Sequence, residues 1–388
     1  MPLTYCLNIH PGESWTDQFS AIRNHAMKVR NRVSPGRPFG LGLRLSGRSS
    51  RQLLRPTEME RFRDFLARNH SYAFTINGFP YGQFHGACVK EKVYQPDWRS
   101  VQRRDYTLRL IQILSELLPD GIAGSISTVP GSFKPCITTK HDVNTMVRHM
   151  MDCVIFMAKV RERTGKEIHL GLEPEPGCYF ENTPETVAFF NHAILTAGLK
   201  DVRRRLKCSA GSAEKIIRRH LGICLDTCHL AIQFEDLTQS LKVFRREGIR
   251  ISKIHLSAAL EVAVNHDSLR ALKPFCEGVY LHQVKALCRD GSLLSWNDLP
   301  AALKEIPHHP EAEHARIHFH IPLFFKGSRH LGTTAACLTP DFFAAIQSDP
   351  AQHIEIETYT FDVLPKKLRS SSVVTSISKE FEWVSRRM

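Results

Sequence analysis

The sequence predicts a single (β/α)8 barrel, and three observations carry that prediction. Eight short apolar segments, 3–9, 39–45, 72–77, 122–129, 167–173, 221–226, 251–256 and 353–359, recur along the 388 residues. Amphipathic helical patterns separate them, the alternation that builds a parallel sheet covered by helices. Within the segments, apolar residues alternate with polar or small ones, the period of a strand whose two faces differ.

The first segment places Leu7 and Ile9 on one face and Asn8 on the other, with His10 next in phase. In the second, Leu41, Leu43 and Leu45 face the helices, and Gly42, Arg44 and Ser46 face inward. A helix over 57–69 follows, with Met59, Phe62, Phe65 and Leu66 on one side. The third segment points Thr75 and Asn77 inward. The loop Phe79–Gly86 after it, rich in Pro, Gly and aromatics, reads as a shaped wall carrying His85. Helices over 99–118 and 141–162 flank the fourth segment, whose inward residues are Ser125 and Ser127. Gly171 and Glu173 point inward from the fifth. Thr183 before Pro184-Glu185 then opens a helix over 184–197, and another spans 211–220. The sixth gives Cys224 and Asp226, followed by a helix over 236–247, and the seventh gives Lys253 and His255.

About a hundred residues then separate His255 from Glu357, against roughly thirty for one strand–helix repeat. Residues 261–313 therefore read as an insertion at the rim, with helices such as 298–305, and 316–321 as an additional short strand. Thr339 before Pro340-Asp341 starts a helix over 339–348. The eighth segment points Glu355, Glu357 and Tyr359 inward. Residues 1–365 are thus expected as one barrel, and 366–388 as a basic tail with a short helix.

Composition narrows the class. The chain is 42% hydrophobic and 23% charged, a globular balance, and no stretch approaches the ~20 apolar residues of a membrane span. Thr4 to His10 reads as a strand rather than a signal peptide. Eleven cysteines without CxxC pairs suit reduced thiols and a cytoplasmic location. The net charge of +13 suits nucleic acid, an anionic surface or a phosphorylated ligand. The basic residues are nevertheless spread among helices, and the densest runs, 203–207 and 366–369, lie far apart.

A barrel built for stability alone fills its lumen with Val, Ile and Leu. This one sends Glu173, Asp226, His255 and Glu357 inward at the carboxyl ends of four successive strands. Burying three carboxylates without a cation costs several kcal/mol per ion, and a divalent ion resolves the conflict. Three carboxylates and one imidazole suit Mn, Mg, Co or Zn. His229, His318 and His320 are further candidate ligands, and Glu175 shares the parity of Glu173 but lies farther from the strand. His10, Arg44, Asn77, His85, His229 and Lys253 are candidate substrate contacts. Lys253 either polarises a carbonyl or stays a buried counter-charge.

Gly222-Ile223-Cys224-Leu225-Asp226-Thr227-Cys228-His229 resembles the Asp-Thr-Cys-His strand of the endonuclease IV family, within the xylose isomerase-like barrels. That resemblance implies metal ligands at Glu173, Asp226, His255 and Glu357. A closer resemblance, to the EboE metabolite traffic proteins, covers most of the chain. It rests on Leu3 to Trp15, Asn77-Gly78-Phe79-Pro80-Tyr81-Gly82, Leu172-Glu173-Pro174-Glu175-Pro176-Gly177, His318-Phe319-His320-Ile321-Pro322-Leu323 and Glu357 to Pro365. It implies a role beside enzymes that export or remodel a small metabolite, with proteins of the same operon as partners. The nuclease pattern is departed from at His255-Leu256-Ser257-Ala258, where His-Leu-Asn-Asp is usual, and at His318-Phe319-His320, where Asp-x-His is usual.

The expected activity is metal-assisted proton transfer, isomerisation or epimerisation, with Glu173 and Glu357 exchanging the proton. The alternatives are an endonuclease IV-like phosphodiesterase acting on DNA and a non-catalytic, metal-dependent metabolite carrier.

Overall fold

Alternating Leu41, Leu43 and Leu45 can bury one face of a strand only against helices, and the structure places them there, each at most 1% exposed. The computed structural model describes residues 2–86, 88–349 and 352–388. Among them, eight parallel strands form the barrel: β1 (Leu3–Tyr5), β2 (Phe39–Arg44), β3 (Ser71–Asn77), β4 (Gly124–Thr128), β5 (Ile168–Leu172), β6 (Leu221–Asp226), β7 (Arg250–Leu256) and, after the insertion, β13 (Ile354–Ile356). Their order is β1-β13-β7-β6-β5-β4-β3-β2. The ring closes between β1 and β2, where Thr4 Oγ1 donates to Gly40 O at 2.8 Å and accepts from Gly42 N at 3.2 Å. Gly42 is required at this seam, because a Cβ there would sit 2.0 Å from Glu355 Oε1.

Helix starts follow local chemistry. Ser14 and Thr139 each form a reciprocal capping box, with Asp17 and Asp142, which satisfies two orphan N–H groups at once. Thr339 caps Pro340–Gln347 as its sequence predicts. The helix expected to be capped by Thr183 is instead capped by Asn182, whose side chain accepts from Glu185 N. Thr183 is the first helical residue, and its Oγ1 donates to Glu235 at 2.8 Å. Helical turns over Trp15–Val33, Gly47–Leu53 and Leu199–Leu206 were not among the expected elements.

Two expectations are corrected. β1 stops at Tyr5, and Leu7–Ile9 winds into a 3-10 turn. The insertion expected over 261–313 is present after β7, but it runs on to 333 and is built chiefly of strands. It is a five-stranded antiparallel sheet, β8 (Leu260–Ala263), β9 (Val284–Cys288), β10 (Leu293–Trp296), β11 (Ala312–Ile317) and β12 (Gly332–Thr333), in the order β10-β9-β11-β8-β12. The helix expected over 298–305 is present as Leu299–Glu305. The strand expected over 316–321 ends at Ile317, and His318–Ile321 drops toward the barrel mouth, held by His318 N to Gln283 O and Ile321 N to Ala258 O.

The basic stretch 366–388 carries a helix, Val373–Ser385, and this helix belongs to the body of the protein. Val374, Ile377, Phe381 and Val384 join the hydrophobic core, and Phe381 packs edge-on to Tyr5. Glu380, 1% exposed, accepts from Thr358 Oγ1 at 2.7 Å and Leu323 N at 3.1 Å. Burial pushes its carboxyl up to about 7 against these two bonds. A carboxyl whose folded pKa exceeds its unfolded value of about 4.3 stabilises fully below the latter and loses that contribution as pH rises toward 7. The loss is on the order of 3 kcal/mol. Glu380→Gln, isosteric with the neutral acid, is expected to flatten the fall in urea midpoint between pH 5 and 8. An unchanged pH profile would refute this.

Candidate metal centre at the barrel mouth

The four inward residues at the ends of β5, β6, β7 and β13 converge. Ligand atoms of Glu173, Asp226, His255 and Glu357 all lie within 4.8 Å of one another, and the four residues are at most 4% exposed. His255 Nδ1 is 2.9 Å from Glu173 Oε1, 3.2 Å from Glu357 Oε2 and 3.7 Å from Asp226 Oδ2. Its other nitrogen, Nε2, is 2.9 Å from Glu355 Oε2, and Lys253 Nζ holds the same oxygen at 2.5 Å. Glu355 thus takes the Nε2–H and aims Nδ1 at the carboxylates, where Nδ1–H donates to Glu173 Oε1; holding a histidine through its other nitrogen is the outer-shell arrangement that orients a ligating imidazole.

Asp226 serves two purposes. Its Oδ1 caps the helix Thr227–Ile232 through His229 N at 3.0 Å and accepts from Ser257 Oγ at 2.7 Å. Its Oδ2 is buried without a partner, as are Glu173 Oε2 and His320 Nε2. Buried polar atoms are rarely orphaned in this way, and three orphans in one place fit a cation. The donor set accordingly suits a divalent ion.

Electrostatics agree with a cluster short of positive charge. Burial opposes the charged form of His255, but Cys224, Glu357 and Glu173 outweigh it and hold the imidazole well above its ordinary value. Burial likewise opposes the Asp226 carboxylate, while His229, His320 and His255 draw it well below the usual range. Glu355 is held at about 2 against burial, chiefly by Lys253 and then by His255. Glu175 behaves oppositely: burial and then the charge of Glu173 push it well above the carboxylate range.

Three further histidines stand beside the centre. His229 Nδ1 faces Pro174 O at 3.0 Å and His320 Nδ1 faces Glu357 O at 2.9 Å. A carbonyl accepts only, so both rings carry their proton on Nδ1 and bare Nε2. Gln283 donates from Nε2 to Tyr94 and Pro176, which leaves its Oε1 to accept from His318 Nδ1 at 2.7 Å. The two bare nitrogens of His229 and His318 then face each other across 3.1 Å. Burial, and then His229, His320 and His282, drive His318 well below its ordinary value. Asp226–His229–His320 and Glu175–His229–His318 are each arranged to hold an ion.

The residues expected to contact substrate divide. Asn77 and His229 line a pocket above the centre, together with Asn8, Glu173, Glu175, His318 and Glu357. Asn77 Nδ2 and Asn8 Nδ2 both donate to Glu357 Oε1, at 3.0 and 2.8 Å. His10, Arg44, His85 and Lys253 are not among the lining residues. His10 bonds Tyr5 Oη at 2.9 Å and stacks on His25. Arg44 makes a bidentate pair with Glu13 at 2.9 and 3.1 Å and braces Gly12 O and Gly82 O. His85 bridges Asn8 O and Tyr280 Oη, behind the wall rather than in it. Lys253 is the counter-charge of Glu355. Sequence reasoning passed over Tyr94, Tyr280 and Leu281 in the wall, which come from a short turn and the inserted sheet. It also passed over Glu355 as the partner of His255, although its inward parity was visible.

Fold and site together define a (β/α)8 barrel with a buried carboxylate–histidine centre at its carboxyl-terminal mouth. No protein-family model matches the chain, and no curated protein matches it. Among solved structures, it is similar to the probable 3-DHS dehydratase AsbF of petrobactin synthesis from Bacillus anthracis, with 12% identity, full coverage of both chains and a TM-score of 0.50. It is also similar to the IOLI protein with a zinc atom (10% identity, 100% of this chain and 99% of the other, TM-score 0.49) and to L-ribulose 3-epimerase (10%, 100% and 93%, 0.49). The likeness is one of fold and supports the (β/α)8 barrel. Among the described residues, no helix is long and apolar enough to cross a membrane.

Proposed function

We propose that this protein is a divalent-metal-dependent isomerase or epimerase of the EboE type. It acts in the cytoplasm on a small oxygen-bearing metabolite, within an export or biosynthesis pathway shared with proteins of the same operon. One observation carries the reading: ligand atoms of Glu173, Asp226, His255 and Glu357 converge, with one oxygen each of Glu173 and Asp226 orphaned, and Glu173 and Glu357 open onto the pocket above. A bound Mn, Zn, Mg or Co ion at these four residues supplies a Lewis acid for substrate oxygens and acidifies the adjacent C–H.

The chain's own residues handle the proton. Glu173 Oε2 has no protein partner and is available as the base. Glu357, pinned through Oε1 by Asn8 and Asn77, returns a proton from the other side. His229 and Asn77 orient substrate oxygens at the cavity wall. Asp226, His229 and His320 are suited to a second ion, with Asp226 common to both groups.

The test is solvent deuterium exchange into candidate ketoses and aldoses. Wild type is expected to exchange when loaded with Mn and to stop on chelation. Glu357→Gln is expected to keep metal and ligand binding but lose roughly 100-fold or more in exchange, because an amide cannot take up the proton. Unaltered exchange in this variant overturns the assignment. Nicking of an abasic DNA duplex that disappears with the same substitution favours the phosphodiesterase reading instead.

A further inference from the structure

The cavity above the centre has two chemically different ends. At the floor lie Asn8 Oδ1 and Glu173 Oε2, both buried and without protein partners. Above them, Phe79, Pro80, Phe84, Val89, Val93 and Leu281 line the space, and none of these side chains offers a hydrogen-bonding atom. The polar atoms interspersed with them are largely spent. Tyr94 Oη donates to Glu175 Oε1 at 2.9 Å. His85 gives its Nε2 proton to Asn8 O, so Tyr280 Oη donates to His85 Nδ1 at 2.9 Å. Lys90 Nζ is paired with Asp298 Oδ2 at 2.6 Å. Of the three tyrosines, Tyr359 alone keeps a hydroxyl free for a ligand among the described residues.

A free sugar or polyol filling this space would find partners at the floor and lose them above it. Each hydroxyl buried against the wall would exchange a bond to water for none, which weakens binding. A planar or branched apolar body has the opposite balance, since it gains by leaving water and forfeits nothing.

We infer that the substrate is an amphipathic metabolite: an oxygen-rich, metal-chelating head at the floor joined to an aromatic or isoprenoid-like body in the apolar sleeve. This rests on the reading of the floor as a metal centre and narrows its substrate class. The wall is built jointly by the segment after β3 and by the inserted sheet. They are joined by Val89 N and Lys90 N, which both donate to Val279 O.

The experiment uses full-length protein loaded with Mn, metal content measured first, and three hydroxamate probes that share one chelating head. These are acetohydroxamate, 2-naphthohydroxamate and a trihydroxybutyl hydroxamate. The naphthyl probe is expected to bind roughly tenfold or more tighter than either other probe, from the apolar area it buries. Val93→Ser and Leu281→Ser, each checked for folding and metal content, are expected to shrink that preference to about threefold. With stoichiometric metal bound, a polyol probe that equals or beats the naphthyl probe overturns the inference and leaves the metal reading standing. If no metal binds, the metal reading fails, and 2-naphthol binding to the metal-free protein decides the sleeve alone. Binding weakened by both substitutions supports the apolar site, and no binding overturns it.

Discussion

Asp226→Ala and His255→Ala are each expected to strip the divalent ion from the barrel mouth, from about one equivalent per chain at the four-residue centre to below about a tenth after dialysis. The two residues act differently. His255 is the nitrogen donor of the Glu173–Asp226–His255–Glu357 group, and its removal leaves three carboxylates facing one another with no imidazole between them. Asp226 is fixed by Ser257 Oγ and His229 N through one oxygen so that the other is aimed and free. Loss of an outer-shell partner alone typically costs 10- to 100-fold in metal affinity, and loss of a ligand costs more. Because Cys224, Glu357 and Glu173 outweigh burial and hold the metal-free imidazole well above its ordinary value, an ion must displace a proton to bind, and affinity is expected to rise with pH. Elemental analysis of dialysed protein checks both points. Stoichiometric metal in the double variant refutes the assignment.

Lys253→Met is expected to produce the largest loss of fold stability, about 3–5 kcal/mol, the usual cost of removing one partner of a buried pair. Lys253 Nζ and Glu355 Oε2 are 2.5 Å apart with both side chains fully buried, so the variant strands a carboxylate in the lumen. The pair also takes part in the site, since Glu355 receives His255 Nε2. Adding Glu355→Gln to Lys253→Met removes the stranded charge and is expected to recover much of the stability without recovering metal affinity. Urea unfolding of the metal-free proteins separates the two effects. A single variant as stable as wild type would show that the lumen hydrates Glu355.

The barrel was legible because its signal is local. Eight apolar runs and their parity need no knowledge of partners, and Glu173, Asp226, His255 and Glu357 follow from parity once the strands are placed. What failed did so where a non-local contact overrides the local pattern. The 3-10 turn at Leu7–Ile9 carries Asn8 to Glu357 and leaves His10 against Tyr5 and His25. Arg44 has the inward phase its strand predicts, but Glu13 from another loop captures it. The inserted sheet pairs β11 with both β8 and β9. Its short strands carry Glu261 and Lys285 within the stretch 261–313, for which the sequence pattern points to helices rather than strands. His318 owes its place to Gln283, across a register that no single segment encodes.

The cavity thus has two builders. Its floor comes from the ends of barrel strands whose spacing is set by the closed ring, and part of its wall comes from Tyr280, Leu281 and His318, in segments flanking a sheet stitched to the barrel by Lys285–Glu181 and Arg316–Ala231 O. Such a division of labour separates inheritance from adaptation. Substitutions or length changes between Leu260 and Thr333 can reshape the pocket wall, while Glu173, Asp226, His255 and Glu357 stay at the ends of strands that cannot shift without opening the ring. The inserted segment is therefore the one to exchange when redirecting the barrel to a new molecule.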